Sequence, residues 1–163
     1  MMFNRPNKLE GIAKKLEGYF DRTRALRTVA RNGAIIVISE DPSTFNFLQF
    51  LVKEGHLRTS AMHFGHPAAA CVAIDDAGEG AIKAIIIDGE LRKVKLKGAK
   101  TILEWLSEAY PGIPVFVDRC PPEDESDIRQ VSSRIGIFKD GTPRQAYVKA
   151  LGLPPSCCAF ATP

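Results

Sequence analysis

The sequence is poor in the features that mark membrane, secreted and nucleotide-binding proteins. None of its apolar runs reaches the roughly 18 consecutive residues that a membrane-spanning helix needs, and the first residues lack a secretory hydrophobic region. Its four cysteines show no paired CxxC spacing, which argues against a zinc site or a disulfide framework. No GxxxxGK[ST] or GxGxxG element is present. We therefore expect a cytoplasmic protein with reduced thiols.

The basic residues are concentrated at the amino terminus. Residues 1–32 carry eight Lys or Arg against three Asp or Glu, whereas residues 33–163 carry 14 basic and 16 acidic residues. Apolar residues in the first segment recur at helical spacing and predict an amphipathic basic helix from about residue 7 to residue 29. We expect this helix to pack on the domain, or on its twin in a homodimer, rather than to bind nucleic acid or a membrane.

From Gly33 onward, apolar strand patterns alternate with amphipathic helix patterns. The predicted strands are 34–39, 59–64, 83–87, 113–117 and 135–138, and the predicted helices are 42–53, 66–76, 99–110, 122–133 and 143–151. Five βα units predict an α/β fold, and right-handed crossovers favour a five-stranded, doubly wound parallel sheet in the order 2-1-3-4-5. The predicted organisation is a helical extension, a domain over residues 33–151 and an irregular tail over residues 152–163.

Charged residues follow three of these strands at the point where each strand ends. The first strand runs into Glu40 and Asp41, the third into Asp88 and the fifth into Lys139. Because parallel strands end at a common edge, we expect these residues to converge. A carboxylate cluster beside a lysine indicates Mg²⁺ and phosphoryl chemistry. Each residue taken singly also has a structural explanation, such as a helix cap or a turn.

Residues 33–151 resemble a response-regulator receiver domain of the CheY-like, flavodoxin-like class. Residues 40–44, Glu-Asp-Pro-Ser-Thr, look like the acidic pair and helix start that follow a receiver's first strand. Asp88 is similar to the phosphoacceptor aspartate, and Lys139 is similar to the lysine that closes the fifth strand.

The resemblance implies a set of site residues. Asp88 would accept the phosphoryl group, and Lys139 would pair with the phosphoryl oxygens. Mg²⁺ would be held by carboxylates of Glu40, Asp41 and Asp88 and by the backbone carbonyl of Glu90.

The chain departs from the family pattern where phosphorylation is normally relayed. Asp118 and Arg119 follow the predicted fourth strand, where receivers have Ser or Thr. Gly136 occupies the usual position of an aromatic switch residue, and Asp140 that of a proline. Arg119 could replace the missing hydroxyl as an anion partner, or it could pair with Asp88 and lock the site.

The resemblance implies a single-domain response regulator of a two-component phosphorelay, which is a phosphoacceptor signalling domain and not an enzyme. Its partners would be a histidine kinase or phosphotransfer protein and a downstream protein, with no nucleic acid. The alternative is a pseudo-receiver that acts as an interaction module without phosphorylation. The two hypotheses differ in the roles of Asp118 and Arg119 and in Mg²⁺ affinity.

Overall fold

The computed structural model describes residues 33–151 except residues 56, 58 and 97. The predicted amino-terminal helix and tail, 1–32 and 152–163, lie outside the described residues. Five parallel strands form one sheet in the order β2-β1-β3-β4-β5, which confirms the predicted fold class and strand order. The strands are β1 (Ala34–Ile38), β2 (Ser60–Phe64), β3 (Ile82–Asp88), β4 (Val115–Cys120) and β5 (Gly136–Lys139).

A helix follows each strand. The helices are α1 (Ser43–Lys53), α2 (Pro67–Ala77), α3 (Ile102–Ala109), α4 (Glu125–Val131) and α5 (Arg144–Ala150). Side chains fix two of the starts, since His66 Nδ1 accepts the backbone N–H of Ala68 and Thr101 Oγ1 accepts that of Glu104. Within the described ranges, no helix is long and apolar enough to cross a membrane.

The sheet is buried on both faces. Alternate residues of β1 and β3 point to opposite sides, so that Ile36 and Ile85 pack toward α2, α3 and α4, whereas Val37 and Ile86 pack toward α1 and α5. Burial on both faces explains why these strands appear as unbroken apolar runs in the sequence.

The fourth strand lies later in the chain than the predicted 113–117. Strand β4 covers residues 115–120, and its pairing with β5 shifts register between Val117 and Cys120. The prediction that Asp118 and Arg119 follow the fourth strand is therefore wrong, because both residues lie within it. This position sets Asp118 directly opposite Asp88 of β3.

Candidate functional site

The carboxyl ends of β1, β3 and β4 meet at one edge of the sheet, with β3 in the middle. Asp88 ends β3 and is half-buried. Its Oδ1 accepts the backbone N–H of Glu90 at 2.9 Å. The Glu90 carbonyl accepts the N–H of Lys93 at 3.4 Å, which closes a short 3₁₀ turn. Asp88 is thus held at the start of a turn, with one carboxylate oxygen oriented by the backbone.

Gly89 allows the adjacent strand to come close to this turn. Its N–H donates to the Asp118 carbonyl at 2.9 Å. A Cβ at this position would lie 3.1 Å from the carbonyl oxygen of Arg119 and 3.3 Å from that of Asp118, closer than ordinary van der Waals contact. In the sequence, Asp88-Gly89 indicates only a turn. The structure shows that glycine is needed at this position because β4 comes close to it.

Arg119 pairs with Asp41 and not with Asp88. Its Nη1 lies 2.9 Å from Asp41 Oδ2, and its Nη2 donates to Ser43 Oγ. The other Asp41 oxygen, Oδ1, accepts the Ser43 N–H at 2.9 Å. The hydrogen bond from Arg119, followed by that from the Ser43 backbone, lowers the pKa of Asp41. Hydrogen bonding to Asp41 raises the pKa of Arg119, and the charges of Asp118 and Asp88 add to this effect.

Asp118 is a buried carboxylate, 4% exposed, that joins two helices. Its Oδ2 accepts the Thr44 hydroxyl at the start of α1, and its Oδ1 accepts the Tyr147 hydroxyl from α5, each at 2.6 Å. The backbone N–H of Arg119 also donates to Oδ1, at 3.1 Å. Burial, followed by the hydrogen bond to Asp118, raises the pKa of Tyr147. These contacts satisfy a buried charge with neutral donors.

An aromatic row extends from Tyr147 along β5 and β4. Ring centroids are 4.2 Å apart between Tyr147 and Phe138, and 5.2 Å apart between Phe138 and Phe116. The Phe116 ring occupies the space that a Cβ at Gly136 would enter. A side chain larger than glycine at position 136 would therefore collide with a ring from the neighbouring strand.

Lys139 ends β5 with a side chain that is 63% exposed, and its Nζ lies 3.7 Å from Glu125 Oε2. It borders an open depression of about 280 Å³, together with Thr44, Arg119 and Tyr147. The lysine thus stands at the predicted edge, but its charge is directed to a carboxylate of α4.

Comparison with solved structures finds the same architecture. RcsB from Salmonella enterica serovar Typhimurium, whose structure is bound to promoter rprA with phosphomimetic BeF3−, is 16% identical with a TM-score of 0.57, over 75% of this chain and 67% of that chain. The bacteriophytochrome response regulator RtBRR is 14% identical with a TM-score of 0.56, over 75% of this chain and 79% of that chain. The described part of the chain has the receiver fold.

A third similar structure is a putative pilus assembly-related protein from Burkholderia pseudomallei K96243. It is 24% identical with a TM-score of 0.52, over 74% of this chain and 87% of that chain. No protein-family model and no curated protein sequence matches this chain. The comparisons therefore show the receiver fold alone.

This edge of the sheet carries carboxylates that could bind a metal ion, but one of them, Asp41, is already paired with Arg119. Carboxylate oxygens such as those of Asp41 and Asp88 are the ligands that Mg²⁺ prefers. Glu40 is exposed in the bend after β1, and Asp41 is bonded to Arg119. Among the described residues, no group of three or more His, Cys, Asp or Glu side chains is arranged to hold a metal ion. The donor chemistry suits Mg²⁺, whereas a guanidinium neutralises Asp41 in this arrangement.

His63 supports the loop that carries the acidic pair. Its Nε2 donates to the Ser39 carbonyl at 2.6 Å, and its ring stacks on Phe45 with centroids 5.4 Å apart. The Ser39 hydroxyl donates to the Asp41 carbonyl at 2.6 Å. His63 lies one residue before the end of β2, and no motif in the sequence indicates its contact with the loop.

Proposed function

We propose that this chain is a receiver-type signalling module in which Asp88 accepts a phosphoryl group. The donor would be the phosphohistidine of a histidine kinase or of a phosphotransfer protein. The observation that carries the proposal is a half-buried carboxylate at the carboxyl edge of a doubly wound sheet, held by the Glu90 N–H and bordered by the Arg119 cation.

In the proposed reaction, Asp88 Oδ2 attacks the phosphorus atom, the phosphorus–nitrogen bond of phosphohistidine breaks, and the imidazole takes up a proton. The Glu90 N–H orients the carboxylate through Oδ1. Gly89 allows β4 to lie close to the turn that carries the nucleophile, because it has no Cβ to meet the carbonyls of Asp118 and Arg119. Arg119 and Lys139 are cations at this edge that can bind phosphoryl oxygens after exchanging their present partners.

Mg²⁺ is part of this proposal. The residues that would hold it are Glu40, Asp41 and Asp88 through their carboxylates and Glu90 through its carbonyl. When bound, the ion would screen the repulsion between these carboxylates and the incoming phosphoryl group.

The proposed output is a protein contact in the cytoplasm, reached through α5. Tyr147 on this helix bonds to Asp118, which stands next to Asp88 in the sheet. A downstream protein that binds near α5 would therefore contact a helix tied to the site by a hydrogen bond. A contact through the amino-terminal helix, including homodimer formation, stays a prediction.

Phosphate acceptance can be tested with a small phosphodonor. Incubation of the full chain with acetyl phosphate and Mg²⁺ should add the mass of one phosphoryl group in intact-mass spectrometry. Asp88→Asn should abolish the addition, whereas Asp140→Asn, an exposed carboxylate on a neighbouring loop, should leave it unchanged. An unmodified wild type, in a reaction where an established receiver is labelled, would contradict the proposal.

A second candidate function is a pseudo-receiver that binds its partner without phosphorylation. The observation in its favour is that each of the two cations of the site is already paired with a carboxylate, Arg119 with Asp41 and Lys139 with Glu125. Unmodified Asp88 in the labelling experiment, together with partner binding that Asp88→Asn leaves intact, would support this function.

A further inference from the structure

The two oxygens of Asp41 have different partners. Oδ1 accepts the backbone N–H of Ser43, the first residue of α1, at 2.9 Å. Oδ2 is the oxygen left for an external ligand, and it is bound by Arg119 Nη1 at 2.9 Å. A metal ion bound at Oδ2 would meet the positive charge of the guanidinium that now holds this oxygen.

The backbone keeps Arg119 in this position. Its φ of +51° lies in the left-handed region, which residues other than glycine rarely adopt. The conformation coincides with the register shift of β4, and the carbonyls of Asp118 and Arg119 face the Cα of Gly89. The guanidinium also donates to Ser43 Oγ, so it is anchored at two points on the α1 start.

We propose that Arg119 competes with the divalent cation for Asp41. Mg²⁺ binds through Asp41 Oδ2 only after the guanidinium leaves, and the released guanidinium becomes a free cation beside Asp88. This inference rests on the proposed function. It couples the two binding events, because the metal ion that takes Asp41 releases the guanidinium that can bind an anion. The apparent affinity for Mg²⁺ is the intrinsic affinity of the site multiplied by the fraction of molecules in which Arg119 is not bound to Asp41.

The test compares Mg²⁺ affinities of the wild type, Arg119→Gln and Lys139→Gln, using the melting temperature of the full chain across a Mg²⁺ titration. An exposed ion pair contributes about 0.2–1 kcal/mol, so Arg119→Gln should bind Mg²⁺ up to about five-fold more tightly. Lys139→Gln removes the same charge from the same edge without touching Asp41, and should change the affinity less. Asp41→Asn should remove the gain that Arg119→Gln produces.

Equal affinities of the wild type and Arg119→Gln, including no binding by either, would overturn the proposal. A gain in Lys139→Gln as large as that in Arg119→Gln would also overturn it, because the effect would then come from net charge alone. A measurement on the wild type avoids dependence on folding of the variants. The Arg119 Nε–H resonance in a ¹⁵N-labelled sample should shift with Mg²⁺ saturation, and a resonance unchanged at saturation would exclude release of the guanidinium.

Acetyl phosphate labelling of the same proteins separates this inference from the proposed function. Tighter Mg²⁺ binding in Arg119→Gln without labelling of Asp88 would support the competition and contradict the phosphoacceptor role. Labelling of Asp88 with unchanged Mg²⁺ affinity would contradict the competition alone.

Discussion

Replacement of Tyr147 by phenylalanine tests whether the buried Asp118 carboxylate depends on its hydroxyl donors. The substitution removes one oxygen and keeps the ring that packs 4.2 Å from the Phe138 centroid and 5.8 Å from that of Phe47. Asp118 Oδ1 then retains only the backbone N–H of Arg119 among its described donors, and Oδ2 retains the Thr44 hydroxyl.

The expected loss follows from the burial of the acceptor. A hydrogen bond to a charged group contributes about 1.5–3 kcal/mol, and an unsatisfied buried group costs about as much. We therefore expect Tyr147→Phe to lower the free energy of unfolding by about 2 kcal/mol. For a chain of 163 residues this corresponds to a fall in melting temperature of about 4–8 °C.

Urea unfolding at neutral pH measures this loss, and Tyr110→Phe is the matched control. The Tyr110 hydroxyl donates to Asp75, which is exposed, so its removal should cost less than that of the Tyr147 hydroxyl. The double variant with Asp118→Asn should show non-additive losses, because the two residues share one contact. A Tyr147→Phe loss no larger than that of Tyr110→Phe would refute the argument that Asp118 needs this donor.

Two further predictions concern packing and acid stability. Gly136→Ala should lower the free energy of unfolding by about 1–3 kcal/mol, because the new methyl group overlaps the Phe116 ring. Gly65→Ala is the control, because a methyl group at that position meets open space. Equal urea midpoints for the two variants would contradict this prediction. The pKa of Asp41 is held below 3.8 by Arg119, so its contribution to stability is present above about pH 4 and is lost as the pH falls through the lower folded-state pKa. Asp41→Asn should therefore lose less stability than the wild type between pH 5 and pH 2, and identical pH profiles would exclude this contribution.

The fold could be predicted because its strongest signals are local. Every fully buried position of β1 and β3 carries an apolar residue, because helices cover both faces of the sheet. The order of the strands in the sheet follows from the handedness of the crossover connections. The bounds of β4 could not be predicted in the same way. Asp118 and Arg119 are polar, which predicts that the strand ends before them, yet backbone pairing extends to Cys120. Polarity of a side chain does not prevent its backbone from pairing when the side chain finds hydrogen-bond partners.

The candidate site could be predicted only at the level of strand ends. The position of Asp88 at the end of β3 follows from the hydrophobic pattern that precedes it. The choice of Asp41 as the partner of Arg119 does not, because it depends on a left-handed backbone conformation and on a contact across 78 residues. The bond between Asp118 and Tyr147 spans 29 residues, and no spacing rule relates a strand end to a residue on the last helix.

Asp118 lies opposite Asp88 at this edge, where the resemblance to receivers implies a serine or threonine. Both carboxylate oxygens of Asp118 accept hydroxyl hydrogen bonds, so Asp118 offers phosphoryl oxygens no donor of the kind that a serine or threonine has. Two cations that border the depression at this edge, Arg119 and Lys139, are already paired with carboxylates. Binding of an anion here therefore exchanges one ion pair for another, and its free energy depends on how weakly Asp41 and Glu125 hold their present partners. Both pairs are partly exposed and hence weak, which makes such an exchange energetically accessible.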